Sequence, residues 1–191
     1  MVDDGLIAAC ATTAEAKVAR RAGLKYTVVG LSAANGVPDG ELVSFGLAGA
    51  LDGLDTGTVI DATRVVDEHG RIVWEGPGLG VPGARRGTIL AAAHVVDDPE
   101  ERRRLQLVTG AVAVDMESGV LARSGRLRGV LRAVSDTPTR PLGGLVEAVR
   151  PDGRTDARGF LRAFAHHPRE TVRALGDVRR ALGALGEAAR R

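Results

Sequence analysis

The chain has 191 residues, 44% of them hydrophobic, and its 26 basic and 24 acidic side chains leave a net charge of +2. That length suits one domain, that apolar share supplies a sizeable core, and the near-balance of charge excludes a disordered polyelectrolyte. No run approaches the roughly 18 consecutive apolar residues of a membrane span, and a lone Cys10 excludes an internal disulfide or a cysteine-rich zinc site.

Gly5–Cys10 reads as a short buried strand. Thr12 or Thr13 then caps a helix running toward Arg21, stopped by Gly23. Tyr26–Val29, β-branched, reads as a second strand, and Ser32–Gly40, dense in turn residues, as a loop. Leu42–Phe45 is a third apolar run, followed by the glycine-rich stretch Gly46–Leu51. Thr58–Val66 and Arg71–Trp74 flank Asp67-Glu68-His69-Gly70, which is a hairpin signature. Glu75–Gly87 is irregular, and Thr88–Val96 reads as a strand. Asp98-Pro99-Glu100-Glu101 combines an acidic cap, proline at the first helical position and glutamate three residues after the cap, and so starts a helix that ends near Gly110.

Ala111–Asp115 reads as a strand, Met116–Ala122 as a helix start and Gly129–Val134 as a strand. A short helix carries Phe160, Leu161 and Phe164. Beyond Pro168, the positions Val172, Leu175, Val178, Leu182 and Leu185 mark one face of an amphipathic helix. Strands alternating with helices, plus one hairpin, predict a three-layer α/β/α domain over residues 1–191 with a mixed, largely parallel central sheet. Its C-terminal part, about 156–191, is helical and basic. Ligands of such sheets bind at the carboxyl ends of strands, so candidate chemistry is sought there.

Four strand ends qualify. Thr12 and Glu15 have capping-box spacing, which makes Glu15 either a cap or a carboxylate able to activate water. Ser44–Leu51 offers glycines that let a ligand approach the backbone, or simply a tight turn. Asp115-Met116-Glu117 places two carboxylates at a strand-to-helix junction; they cap the helix, or Glu117 accepts hydrogen bonds from a vicinal diol such as that of a ribose. Ser135-Asp136 follows an apolar strand and reads as a turn or as a general acid. His69, His94, His166 and His167 lack ligand spacing with carboxylates, so no metal is expected. No GxSxG elbow is present.

Taken together and in order, SFGLAGAL (Ser44–Leu51), AVDMESGVLA (Ala113–Ala122) and LRAVSDT (Leu131–Thr137) resemble the nucleoside phosphorylase/nucleosidase superfamily, which includes methylthioadenosine/adenosylhomocysteine nucleosidases. Leu6–Ala16 matches more loosely. VRPDGRTD (Val149–Asp156), before an arginine-rich helix, is most similar to the hopanoid-associated branch, whose substrate is adenosyl-hopane. The resemblance implies cleavage of the N-glycosidic bond of a 5′-substituted purine nucleoside, an adenosine derivative. It assigns Asp136 to N7 of the base and Glu15 to an attacking water. Glu117 would bind the ribose hydroxyls with Met116 and Asp115 beside it, Ala48 and Gly49 would line the anomeric side, and His94, Val95 and Ser135 would surround the base.

Two departures stand out. Leu47 occupies the hydroxyl position, and Ser44 the arginine position, with which phosphorylases hold phosphate; water is therefore favoured over phosphate, unless Arg64, Arg85 or Arg86 substitutes. The Lys25–Leu42 stretch has room for a loop where the family carries a helix. Phosphorolysis and a non-catalytic nucleoside-binding member remain the alternatives.

The resemblance implies no cofactor and a homodimer. A pI near 9.2 invites a nucleic-acid partner. However, the charge gathers at 150–191, with 10 basic and 5 acidic residues, and only five aromatics occur in the chain (Tyr26, Phe45, Trp74, Phe160 and Phe164). Without a stacking platform, no nucleic acid is expected. The N-terminal MVDDGLIAAC lacks a basic leader, so a cytoplasmic location is expected.

Overall fold

A computed structural model of the protein describes residues 5–191. Asp3 and Asp4, part of the leader reading, lie outside the described residues. The strands are β1 (Ile7–Cys10), β2 (Tyr26–Val28), β3 (Leu42–Ala50), β4 (Val59–Val66), β5 (Ile72–Glu75), β6 (Arg85–Ala91), β7 (Ala113–Asp115) and β8 (Leu127–Asp136). The helices are α1 (Thr13–Arg21), α2 (Pro99–Thr109), α3 (Ser118–Arg123), α4 (Ala157–His166) and α5 (Pro168–Ala188), with 3₁₀ turns at Leu31–Ala33 and Gly143–Ala148.

The sheet is mixed and largely parallel, as expected. β1 pairs parallel with β2 and β3, β3 with β8, β4 with β6, and β6 with β7. The antiparallel pairs are β3/β7, β4/β5 and β4/β8. Because β3 bonds both β8 and β7, the pairing closes through β4 and β6, and the central strands curl around one end of the molecule. Strand alternation divides the core between two faces. Ile7 and Ala9 of β1 and Val130 and Val134 of β8 join one cluster with Leu121 of α3. Ala8, Cys10, Leu131 and Ala133 join the other with Ala16 and Ala19 of α1 and Ala181 and Leu185 of α5.

The caps form as the sequence predicts. Thr12 and Glu15 make a reciprocal capping box at α1, and Asp98 caps α2, which ends on a left-handed Gly110. Several boundaries differ. The glycine-rich stretch is not a turn: β3 runs unbroken through Gly46 and Gly49 to Ala50, held along that length by β8. β6 starts at the exposed Arg85 and Arg86, which carry no apolar signal, and ends at Ala91 where β7 ends beside it. α3 begins only at Ser118, whose amide donates to Asp115. On α5 the buried seam is Thr171, Ala174, Asp177, Ala181 and Leu185, so the apolar stripe is rotated and Val172 is 59% exposed. Asp177 accounts for part of this rotation: it accepts both Nε (3.0 Å) and Nη2 (2.8 Å) of Arg140 and ties α5 to the turn after β8. No helix among the described residues is long and apolar enough to cross a membrane.

Candidate active site

A cavity of about 360 Å³ opens at the carboxyl-terminal ends of β1, β3, β7 and β8. Glu15, Ala48, Gly49, His94, Val95, Asp115, Met116, Glu117, Ser135 and Asp136 all line it. Four of these are carboxylates nearly withdrawn from solvent: Glu15 is 3% exposed, Asp115 5%, Glu117 4% and Asp136 3%.

Glu15 is both cap and cavity wall. Its Oε2 accepts from the Thr12 amide (2.7 Å) and hydroxyl (3.0 Å), while Oε1 accepts from the Leu47 amide (2.8 Å). That amide is available because β1 pairs with β3 only as far as Ser44. Gly46 makes the approach sterically feasible: a Cβ there would overlap the Glu15 carboxylate and lie 2.6 Å from Arg132 Nη1. Burial raises the Glu15 pKa, opposed by Arg132 and by the hydrogen bonds from Leu47 and Thr12.

Arg132 organises this end of the cavity. It is fully buried on β8, donates Nη2 to Ser44 Oγ (2.6 Å) and Nη1 to the Leu47 carbonyl (3.2 Å), and places Nη2 3.4 Å from Glu117 Oε2. Its Nε sits 2.7 Å from Asp115 Oδ2, an ion pair without hydrogen-bond alignment. Burial alone would lower its pKa, but Asp115, Glu117 and Glu15 together raise it, so the guanidinium keeps its charge. Asp115 is otherwise engaged by the Ser118 amide (3.1 Å) and the Ser118 hydroxyl, so its oxygens face α3 and Arg132.

Glu117 accepts from the Ser32 amide (3.1 Å). The short loop after β2 delivers that amide at some backbone cost, with Ser32 and Ala33 at φ 50° and 57°, where non-glycine residues are uncommon. The loop is anchored by the Val149–Asp156 segment: Leu31 donates to Pro151 O (2.9 Å), Asn35 Nδ2 to Asp152 O (3.1 Å) and, from α1, Thr13 to Gly153 O (3.0 Å). Burial, then the like charges of Asp115 and Glu15, push the Glu117 pKa up to about 7 against the pull of Arg132.

Asp136 closes β8 at the other end. Ser135 Oγ donates to its Oδ1 (2.7 Å), and Arg102 of α2 donates to its Oδ2. His94 lines the cavity mouth, but its side chain is half-exposed and its ring lies 3.1 Å from Glu101 and 4.0 Å from Glu68. Part of the wall is apolar, built from Leu142, Leu145, Val146, Ala148 and Val149 with Phe160 of α4 and Leu175 and Val178 of α5.

Arg102, the Ser32 amide and this wall are not legible in the sequence, where Arg132 stands out only as part of LRAVSDT. A charged residue in the middle of a buried strand was the available signal for Arg132. Arg64 pairs with Glu75, Arg85 with Asp52, and Arg86 donates to Pro77 O; none of the three lines the cavity. Among the described residues no cluster of three or more His, Cys, Asp or Glu side chains is disposed to hold a metal.

No family model and no curated protein matches the sequence. Solved structures do match. The 5′-methylthioadenosine/S-adenosylhomocysteine nucleosidase of Neisseria meningitidis, in complex with methylthio-immucillin-A, is 14% identical with a TM-score of 0.62, covering 96% of this chain and 96% of that one. A mutant of the corresponding Helicobacter pylori enzyme, with 5′-methylthioadenosine in its active site, is 14% identical with a TM-score of 0.55 over 91% of this chain and 97% of that one. Futalosine hydrolase of Helicobacter pylori is 15% identical with a TM-score of 0.51, covering 91% and 96%. The chain has the fold these nucleosidases share, and the resemblance carried by SFGLAGAL, AVDMESGVLA and LRAVSDT holds at the level of that fold.

Proposed function

We propose that the cavity cleaves the N-glycosidic bond of a purine nucleoside bearing an apolar 5′ substituent, with water as the nucleophile. The observation that carries this reading is the meeting of Glu15, Glu117 and Asp136, from three distant parts of the chain, in one cavity that also has an apolar wall. The neighbours that share the fold include nucleosidases holding 5′-methylthioadenosine or its analogue.

In this reading Glu117 accepts the 2′ and 3′ hydroxyls, with Met116 against the sugar. Asp115 acts behind it, steadying Arg132 and the start of α3. Ala48 and Gly49 border the anomeric carbon, and His94, Val95 and Ser135 border the base. Asp136 enters the step as the neutral acid and gives its proton to N7 as the C1′–N9 bond breaks and its electron pair passes to the base; the carboxylate left behind is the form that Arg102 and Ser135 hold in the unliganded cavity. The ribosyl group becomes an oxocarbenium-like cation, and the buried carboxylates stabilise its positive charge. Glu15 takes a proton from water as the water oxygen bonds to C1′. Hydrolysis is favoured because Arg102, the one arginine among the described residues that lines the cavity, is already paired with Asp136, and Arg132 behind the wall is paired with Asp115.

The wall formed by Phe160, Leu175 and Val178 suits a large apolar group at the 5′ position, and adenosyl-hopane is the specific candidate. Leu107 and Val108 of α2, adjacent in the chain and both exposed, are apolar surface that a second copy would cover in a homodimer. The test is base release from a panel of 5′-substituted adenosines, with and without phosphate. Free base and free sugar without phosphate support the reading. Strict phosphate dependence replaces it with phosphorolysis, and binding without turnover replaces it with a non-catalytic role.

A further inference from the structure

Arg102 is 1% exposed yet belongs to α2, a helix whose other two arginines, Arg103 and Arg104, face solvent. Its guanidinium is used on three sides. Nε donates to Val96 O (2.9 Å) in the loop before α2, Nη1 donates to Ala50 O (3.0 Å) at the end of β3, and Nη2 donates to Asp136 Oδ2. Two of these partners are backbone oxygens of neighbouring elements, so the third bond starts from a fixed base. A planar donor fork held in this way restrains its carboxylate more tightly than a flexible ammonium would. With Ser135 on Oδ1, both Asp136 oxygens have a donor and the rotamer is set.

A second feature is matched to this pair. Gly49 lies on β3 directly beneath it, and a Cβ there would stand 2.8 Å from Asp136 Oδ2 and 3.2 and 3.3 Å from the two Arg102 terminal nitrogens. The absence of a side chain on the strand leaves room for the ion pair to close at the cavity floor. Asp97, in the loop before α2, is the other carboxylate near this guanidinium, at 3.7 Å. The pairing therefore favours Asp136, the carboxylate that lines the cavity.

We infer that Arg102 is a positioning residue for Asp136, holding the carboxylate at the base end of the cavity through anchors on Val96 and Ala50. The inference rests on the nucleosidase reading for what Asp136 does. Arg102 acts through Asp136, so it governs the chemical step and not the hold on the sugar.

The test is a double-mutant cycle on the full chain with 5′-methylthioadenosine as substrate. Arg102→Met lowers kcat about a hundredfold, the scale of a misplaced catalytic group, and changes KM less than threefold. Arg102→Lys, which keeps the charge but not the fork, recovers part of that loss and serves if Arg102→Met does not fold. In an Asp136→Asn background, Arg102→Met adds no further loss of kcat. An equal loss in both backgrounds, or an unchanged kcat in Arg102→Met, overturns the inference. The same four proteins compared by thermal denaturation read the pair without turnover: non-additive changes in midpoint support the coupling and additive changes overturn it. A wild-type protein that cleaves nothing counts against the nucleosidase reading, and the thermal cycle then still decides the pairing.

Discussion

Glu117 is the residue whose environment makes the sharpest prediction. Its carboxyl is raised to about 7 by burial and by Asp115 and Glu15. In the unfolded chain it returns to an ordinary glutamate value. A group whose pKa is higher in the folded state contributes stability that is full below the unfolded value and is lost as pH rises through the folded one. The unliganded protein should therefore lose part of its thermal stability between about pH 4.5 and about pH 7. Glu117→Gln should flatten that part of the curve; an unchanged slope would refute the assignment. In the proposed reading, nucleoside binding depends on the ionised form, which accepts from both ribose hydroxyls, so KM should rise as pH falls below about 7. On the same reading, Asp136→Asn removes the proton donor to the base. It should cut kcat by a factor of about 100 or more while KM changes little, as followed by release of free adenine.

At the scale of elements, α5 has two apolar surfaces with different jobs. Leu185 is fully buried against the sheet, so Leu185→Ala should cost about 2–5 kcal/mol in denaturant unfolding. Val172, 59% exposed on the same apolar stripe, should change stability by less than about 0.5 kcal/mol when replaced by alanine. Leu175 and Val178 face the cavity instead. A polar change there, Val178→Asn, should reduce kcat/KM for long-chain 5′-alkylthioadenosines several-fold more than for 5′-methylthioadenosine, where burial of each methylene is worth about 0.8 kcal/mol. Equal losses on both substrates would show that α5 does not reach the 5′ group.

Considered as a whole, the molecule shows which parts of a fold are written locally. The box at Thr12 and Glu15, the Asp98-Pro99 start and the β4–β5 hairpin are signalled by neighbours in sequence, and each forms as read. β3 through Gly46 and Gly49 is not, because its extended shape comes from β8, a strand some 85 residues later. The expected strand ends do gather at one cavity: parallel pairing brings the carboxyl ends of β1, β3 and β8 together, and β7 joins them through its antiparallel pairing with β3. Arg102 was illegible for a different reason. In the run Glu100-Glu101-Arg102-Arg103-Arg104 it looks like any residue of a solvated helix face, and only the packing of α2 over Ala50 and Asp136 turns it inward.

One measurement bears most directly on this account: a crystal structure of the protein with a 5′-alkylthio adenosine analogue bound. The predicted result has the ribose hydroxyls on Glu117, N7 of the base within hydrogen-bond reach of Asp136, and the alkyl chain against Phe160, Leu175 and Val178. A ligand seated elsewhere, or reversed so that its diol meets the apolar wall, would contradict it.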